Sequence, residues 1–154
     1  MQSSRPATRS PQRDISTVRR DHAPTGLFLL RVVRLMAISG VDDARAASLL
    51  LSQFGANYRR PLVLMRAMML ELSRASNRKI VLAPPCCGRI TGDEALMLSA
   101  LGRSDAEFAL CHADASKLLD RDVAIGPATC FQAVSQCFAD LGAPISRLSQ
   151  RGSA

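Results

Sequence analysis

The chain has 154 residues, a mass of 16.6 kDa and a formal net charge of +7. Apolar residues make up 47% of it and charged residues 21%, a balance that fits one ordinary folded domain and excludes a fully disordered or collagen-like chain. The longest apolar run, residues 27–38, contains two arginines and is shorter than the roughly 20 residues that a membrane-spanning helix needs. A spanning protein is therefore also excluded.

The five cysteines indicate a reducing compartment. An odd number cannot all pair within one chain, and Cys86 and Cys87 are adjacent, which is a poor basis for a secreted fold held by disulfides. Arginines inside the first apolar run also argue against an export signal. We therefore expect a cytoplasmic protein with reduced thiols.

The two ends of the chain differ in composition from its middle. Residues 1–24 are rich in Ser, Thr, Arg, Pro and Gln and have almost no apolar periodicity, which predicts a disordered basic arm. Residues 146–154 predict a second flexible tail. The helical domain is expected between them, in residues 25–145.

Apolar spacing and end signals predict the first two helices. The first covers residues 25–39 and is followed by Gly40, a residue suited to end a helix. Asp42 is placed to cap the second helix, residues 43–54, and Gly55 is placed to close it.

The first helix is apolar around most of its circumference. Ten of the twelve residues in 27–38 are apolar, and only Arg31 and Arg34 form a narrow polar stripe. Such a helix is usually central in its bundle. A dimer face and a face that lies on a membrane surface are the alternative explanations.

The third helix is predicted to begin near Pro61, because the missing N–H of proline does no harm in a first turn. Apolar residues then recur at spacings of three and four, which places them on one face. These residues are Leu62, Met65, Met69 and Leu72.

Two capping patterns predict the next helices. Thr91 followed by Glu94 is a capping box ahead of a fourth helix that ends at Gly102. Ser104 with Glu107 repeats the pattern ahead of a fifth helix.

The sixth helix is predicted to begin at Pro127 and to stop before Gly142, with Cys130 and Cys137 on its apolar stripe. About six capped helices with short connections predict an all-α protein that folds as a compact bundle.

Residues 80–83 interrupt the helical pattern. They are apolar and begin with the β-branched Ile80 and Val81, and Pro84–Pro85 behind them forces an extended backbone. A lone strand would have no partner, so we predict an extended linker that crosses the surface of the core.

Cys86 and Cys87 follow this linker, just before the fourth helix, where a helix N-terminus can lower the pKa of a thiol. With Cys111 and His112 they offer ligands for zinc. However, the chain lacks paired C-x-x-C or H-x-x-H motifs, and adjacent residues on a helix point about 100° apart. Thiols packed under the loop are the favoured interpretation, and a reactive thiol or a metal site are the alternatives.

Arg59 and Arg60 precede the predicted third helix, at its positive end. Two guanidiniums are unfavourable there unless an anion or a carboxylate of a partner is bound. Together with Arg89, they form a candidate anion-binding or partner-binding set. Solvated arginines that pair with a nearby acid are the simpler interpretation.

Signatures of catalysis and of nucleic-acid binding are weak. The sequence has no glycine-rich phosphate loop, no G-x-S-x-G and no H-E-x-x-H, and its two histidines leave few options for a general base. No catalytic residue is assigned. The basic arm could hold nucleic acid through its phosphates, but the chain has no Trp and one Tyr with which to stack bases.

Several segments resemble a small bacterial family of proteins of unknown function. They are residues 40–44, 54–55, 58–62, 71–74, 83–91 and 93–94. The likeness extends over about residues 27–142. It implies a single helical domain with a cysteine-containing loop, and it implies no activity or cofactor.

These observations favour a non-enzymatic interaction or regulatory module that binds an unidentified protein or another copy of itself. The expected contact surface consists of Arg59, Arg60, Cys86, Cys87 and Arg89. The alternatives are a thiol-based redox sensor or metal-binding module centred on Cys86 and Cys87, and a nucleic-acid-binding protein that uses the arm.

Overall fold

The computed structural model describes residues 24–146, and that part of the chain is helical, with turns and extended connections but no strand. The α-helices are α1 (Pro24–Ser39), α2 (Ala44–Phe54), α3 (Arg59–Ala75), α4 (Gly92–Arg103), α5 (Phe108–Leu119) and α6 (Ile125–Asp140), and a 3-10 helix, Gly55–Tyr58, joins α2 to α3. The predicted all-α class is confirmed. Apart from Pro24 and Ser146, the predicted arm and tail lie outside the described residues.

α1 and α2 each end just before the glycine that predicted their end, but the N-cap of α2 lies one residue later than predicted. Gly40 and Gly55 have φ values of 94° and 56°, which favour glycine at helix ends. Asp43, not Asp42, caps α2: its carboxylate accepts hydrogen bonds from the backbone N–H groups of Arg45 (2.7 Å) and Ala46 (3.1 Å). The Arg45 side chain and these N–H groups lower the pKa of Asp43.

One of the two predicted capping boxes is present. The Thr91 hydroxyl accepts from the backbone N–H of Glu94, and the Glu94 carboxylate accepts from the backbone N–H of Thr91. The prediction of a second capping box is wrong, because Ser104 ends α4. Its N–H and its hydroxyl both donate to the carbonyl of Leu101. Glu107 precedes α5 without a side-chain cap bond.

Two helices also begin earlier than their prolines predict. α3 begins at Arg59 and α6 at Ile125, each two residues before Pro61 and Pro127 respectively. Both prolines still lie within the first turn, where the backbone N–H has no partner inside the helix. Proline therefore marks the first turn of these helices rather than their first residue.

The core lies between α1 and the other helices. α1 packs against α2 and α3, α3 packs against α6, and α4 packs against both α5 and α6. Leu29, Val32 and Val33 of α1 are fully buried, as expected for a central helix. The predicted face of α3 is buried at Leu62, Met65 and Leu72, and Met69 is half-buried.

The connection between α3 and α4 is extended, as the linker prediction requires. Residues 79–84 have no regular secondary structure, and Ile80 and Leu82 pack partly buried against the core. Ile90, shortly before α4, is buried. Within residues 24–146, no helix is both long enough and apolar enough to cross a membrane.

Adjacent leucines on α2 test this packing. Leu50 is fully buried, whereas Leu51 is 48% exposed. Leu50→Ala leaves a cavity and is expected to lower the free energy of unfolding by about 2–5 kcal/mol, and Leu51→Ala by less than about 1 kcal/mol. Urea denaturation followed by circular dichroism measures both. Equal losses would contradict the placement of α2.

Candidate functional site

A buried ion pair joins α1 to α4 beneath the segment that carries Cys86 and Cys87. Arg34 is 6% exposed and Glu94 is fully buried. The Arg34 Nε and Nη2 groups donate to the two carboxylate oxygens of Glu94 at 2.7 and 2.9 Å. The predicted polar stripe of α1 is therefore half wrong, because Arg31 is exposed to solvent but Arg34 is not.

The guanidinium of Arg34 has a partner for every N–H that it carries. Besides Glu94, it donates to the carbonyl oxygens of Cys87 (2.7 Å), Arg89 (2.8 Å) and Pro84 (3.4 Å). A guanidinium has five donors, and these contacts use all five. The hydrogen bond to Glu94 raises the pKa of Arg34, and burial opposes that shift only in part.

The carboxylate of Glu94 is equally saturated. In addition to its two bonds from Arg34, it accepts from the backbone N–H groups of Ala83 (3.0 Å) and Thr91 (2.9 Å). A carboxylate offers about four acceptor positions. We name residues 80–91 the cysteine loop. The Glu94 side chain therefore completes the capping box of α4, neutralises Arg34 and binds the cysteine loop at Ala83 and at its last residue, Thr91.

A second carboxylate anchors the beginning of the cysteine loop. Asp93 accepts from the Arg78 side chain at 2.6 and 3.1 Å and from the backbone N–H of Val81 at 2.7 Å. Burial alone would raise the pKa of Asp93, but the hydrogen bonds from Arg78 and Val81 outweigh it, and the pKa is lowered. The loop is thus held by charged groups rather than by secondary structure.

The tip of the cysteine loop is a tight turn. The backbone N–H of Cys87 donates to the carbonyl of Pro84 at 2.9 Å, and Pro85 occupies the position after Pro84, where β-turns favour proline. This turn leaves the Cys86 side chain exposed and the Cys87 side chain half-buried.

The loop tip forms one wall of a groove against α1 and α2, which we name the cysteine groove. Its volume is about 550 Å³. Its lining residues are Arg31, Leu35, Ala44, Arg45, Ser48, Leu49, Pro85 and Cys86. The groove thus combines aliphatic surface with a thiol and two guanidiniums.

The two arginine side chains that line the cysteine groove differ in their hydrogen-bond partners. Arg45 is fixed by hydrogen bonds to Asp43 (2.8 Å) and to the Ser39 hydroxyl (2.8 Å). The side chain of Arg31 has no hydrogen-bond or ion-pair partner among residues 24–146. A bound carboxylate would therefore find an uncommitted donor in Arg31.

The residues predicted as a thiol or metal cluster occupy different places. Cys111 is buried, with its Sγ 3.9 Å from the carbonyl of Ala128, and burial raises the pKa of its thiol to about 11. The neighbouring His112 accepts a hydrogen bond from the backbone N–H of Ala124 through Nε2 (3.0 Å). Within the described part of the chain, no three His, Cys, Asp or Glu side chains are grouped as metal ligands.

The predicted arginine set is also divided. Arg59 and Arg60 line a depression of about 530 Å³ between α3 and α6, and Arg60 pairs with Asp140 at 3.0 Å. Arg89 lies in the cysteine loop, exposed, and contributes its carbonyl to Arg34. The depression and the cysteine groove have no lining residue in common.

Sequence reasoning missed the ion pair that positions this site. Glu94 was identified only as a capping residue, and Arg34 only as part of a polar stripe. The available signal was an arginine in the middle of an otherwise apolar central helix, because a charge in such a place needs a buried partner.

A protein-family model described as a family of unknown function, DUF6628, matches residues 8–150. The chain belongs to this family. No curated protein and no solved structure matches the chain. The expected resemblance to a family of unknown function is thereby confirmed.

Glu94→Gln tests the role of the ion pair in this DUF6628 protein. The substitution leaves the Arg34 charge buried without its counter-ion, so we expect a loss of about 3–5 kcal/mol in the free energy of unfolding. Amide hydrogen exchange of the cysteine loop should also accelerate.

Asp140→Asn is the matched control for Glu94→Gln, because it removes an ion pair whose two side chains are 60% and 41% exposed. Its expected cost is below about 1 kcal/mol. A Glu94→Gln protein that is as stable as this control would show that the buried pair does not hold the loop.

The burial of the cysteines predicts the order in which they react. In the native protein, iodoacetamide should modify Cys86 first and Cys87 more slowly, because the access of the reagent follows exposure. Cys111 and Cys137 are buried, and burial raises the pKa of both thiols. They should react only at the rate of unfolding. Peptide mass spectrometry over time measures this order, and early labelling of Cys111 would contradict it.

Proposed function

We propose that this protein is a non-enzymatic interaction module that binds a partner protein in the cysteine groove. The observation that carries the proposal is the construction of the groove wall. A loop without secondary structure is fixed there by a buried guanidinium and a buried carboxylate that are both saturated with hydrogen bonds.

The volume and the lining residues of the groove indicate which kind of segment fits it. About 550 Å³ is within the usual range of ligand pockets. Leu35 and Leu49 offer aliphatic contact, and Arg31 offers donors for a carboxylate. The groove therefore fits a segment that carries an acidic residue beside an apolar one.

The fixed wall favours binding because little order has to be gained in the complex. A flexible loop would lose conformational entropy on association, which weakens affinity. Pro84 and Pro85 restrict the backbone at the groove wall further. The described residues that line the groove include no carboxylate. Asp43, next to the lining residue Ala44, is occupied by the first N–H groups of α2 and by Arg45, so the groove presents cations and apolar groups to its partner.

The proposed contact surface differs from the one predicted from sequence. It keeps Cys86 and adds Arg31, whereas Arg59 and Arg60 lie in their own depression. We propose that the module acts in the cytoplasm as one helical domain, which the unpaired cysteines support. Nucleic-acid binding through the arm remains a prediction from sequence.

A thiol-based sensor is the second candidate function, and the exposed position of Cys86 beside the half-buried Cys87 favours it. For a zinc site, Cys86 and Cys87 would still be available as ligands. Cys111 and His112 instead contact Ala128 and Ala124, where α5 packs against α6.

Arg31→Glu tests the proposed function. A displayed peptide library is selected against the immobilised protein, and the affinities of the enriched peptides are measured by fluorescence anisotropy. We expect acidic and apolar residues in the enriched peptides, and a loss of affinity of about tenfold or more in the variant, because an attractive charge becomes repulsive.

Arg74→Glu is the matched control. Arg74 is exposed on α3 and lies outside the lining of the groove, and the same change of charge there should leave affinity unchanged apart from weak long-range effects. Peptides without acidic residues, or equal losses in both variants, would overturn the proposal.

A further inference from the structure

We infer that Cys86 and Cys87 are a site of reversible two-electron oxidation, and that formation of a disulfide between them releases the cysteine loop from Arg34. The oxidation itself does not depend on the proposed function. Its consequence for the cysteine groove does rest on that function, since Cys86 lines the groove.

The two thiols are the accessible adjacent pair of the described chain. Cys86 is exposed and Cys87 is half-buried, whereas Cys111 and Cys137 are buried. Cys130 is half-buried on α6. A small oxidant from solvent therefore meets Cys86 first, and the next thiol along the chain is directly adjacent to it.

The reaction requires a hydroperoxide as oxidant. With hydrogen peroxide, the Cys86 thiol gives up its proton and the thiolate attacks one peroxide oxygen. The O–O bond breaks to give a sulfenic acid and a hydroxide, which takes up the proton and leaves as water. The Cys87 thiolate then attacks the Cys86 sulfur and displaces a second water. With hydrogen peroxide, two thiols and one peroxide give one disulfide and two water molecules, and the peroxide accepts the two electrons.

A disulfide between neighbouring residues cannot keep the present turn. Consecutive Cα atoms are about 3.8 Å apart across a trans peptide, whereas the Cα atoms of a disulfide are usually about 4.4–6.8 Å apart. No rotation of the backbone can lengthen the distance between neighbouring Cα atoms. The eight-membered ring of this disulfide therefore closes only by distorting the peptide bond and the backbone torsion angles between Cys86 and Cys87. The strain also makes the bond easy to reduce, so the modification is reversible.

The backbone of Cys87 transmits this rearrangement to the core. Its N–H closes the turn on Pro84 at 2.9 Å, and its carbonyl accepts from Arg34 Nη1 at 2.7 Å. Displacing the carbonyl leaves a donor of a buried guanidinium without a partner, which is costly. The cysteine loop is thereby loosened and the Cys86 wall of the groove moves.

The experiment treats the full chain with hydrogen peroxide in slight excess over protein and digests it with trypsin under non-reducing conditions. Cleavage after Lys79 and Arg89 gives residues 80–89, which contain only these two cysteines. We expect this peptide to lose two hydrogen atoms in mass and to regain them with dithiothreitol. In the oxidised protein, amide exchange of residues 86–91 should be about tenfold faster.

Two variants test whether the disulfide forms between Cys86 and Cys87. Cys87→Ser should abolish the loss of two hydrogens and leave Cys86 with added oxygen, while Cys130→Ser should oxidise as the unchanged chain does. A peptide 80–89 that carries only added oxygen, or that is linked to a second chain, would overturn the proposed disulfide. Unchanged amide exchange after its formation would overturn the release of the loop.

The groove provides a separate readout. If the reduced chain binds the selected peptides and the oxidised chain binds them at least about tenfold more weakly, the coupling to the proposed function is supported, and equal binding overturns that coupling. A chain that binds no peptide in either state refutes the proposed function alone, because the change in peptide mass and the exchange rates are measured without a partner.

Discussion

Burying Arg34 and Glu94 side by side removes two full charges from water, which costs several kcal/mol for each ion. The structure offsets this cost by saturating both groups: the guanidinium uses its five donors and the carboxylate its four acceptor positions. The partners come from α1, from the start of α4 and from the cysteine loop. The loop from Ala83 to Thr91 therefore depends on this ion pair, while Asp93 holds the beginning of the loop at Val81.

This dependence explains how a segment without secondary structure can form part of a site. Backbone groups of a loop are normally satisfied by water or by a turn. In the cysteine loop, the carbonyls of Cys87 and Arg89 bind Arg34, and the N–H groups of Ala83 and Thr91 bind Glu94. These hydrogen bonds tie the loop to the core, and the loop forms one wall of the groove beside α1 and α2.

The five cysteines are expected to differ in reactivity because the fold buries them to different extents. Cys111 and Cys137 fill the interior as small apolar groups, and burial raises the pKa of each thiol. Cys86 is exposed on the groove, and Cys87 connects the loop tip to the buried guanidinium. The same turn therefore brings Cys86 to the groove and ties Cys87 to the buried ion pair.

Prediction from the sequence was correct for the features that depend on local backbone chemistry. These are the helical class, the stops at Gly40 and Gly55, the capping box of Thr91 with Glu94 and the extended course of residues 80–83. It failed where two local solutions compete, as at Ser104, which ends one helix rather than starting the next. Helix packing brings Arg34 and Glu94, which are 60 residues apart, together in the core. It also places Cys86 in a groove with Arg31 and keeps Cys111 away from that groove. The physical reason is that contacts between distant residues depend on how whole helices pack, and no local spacing encodes that packing.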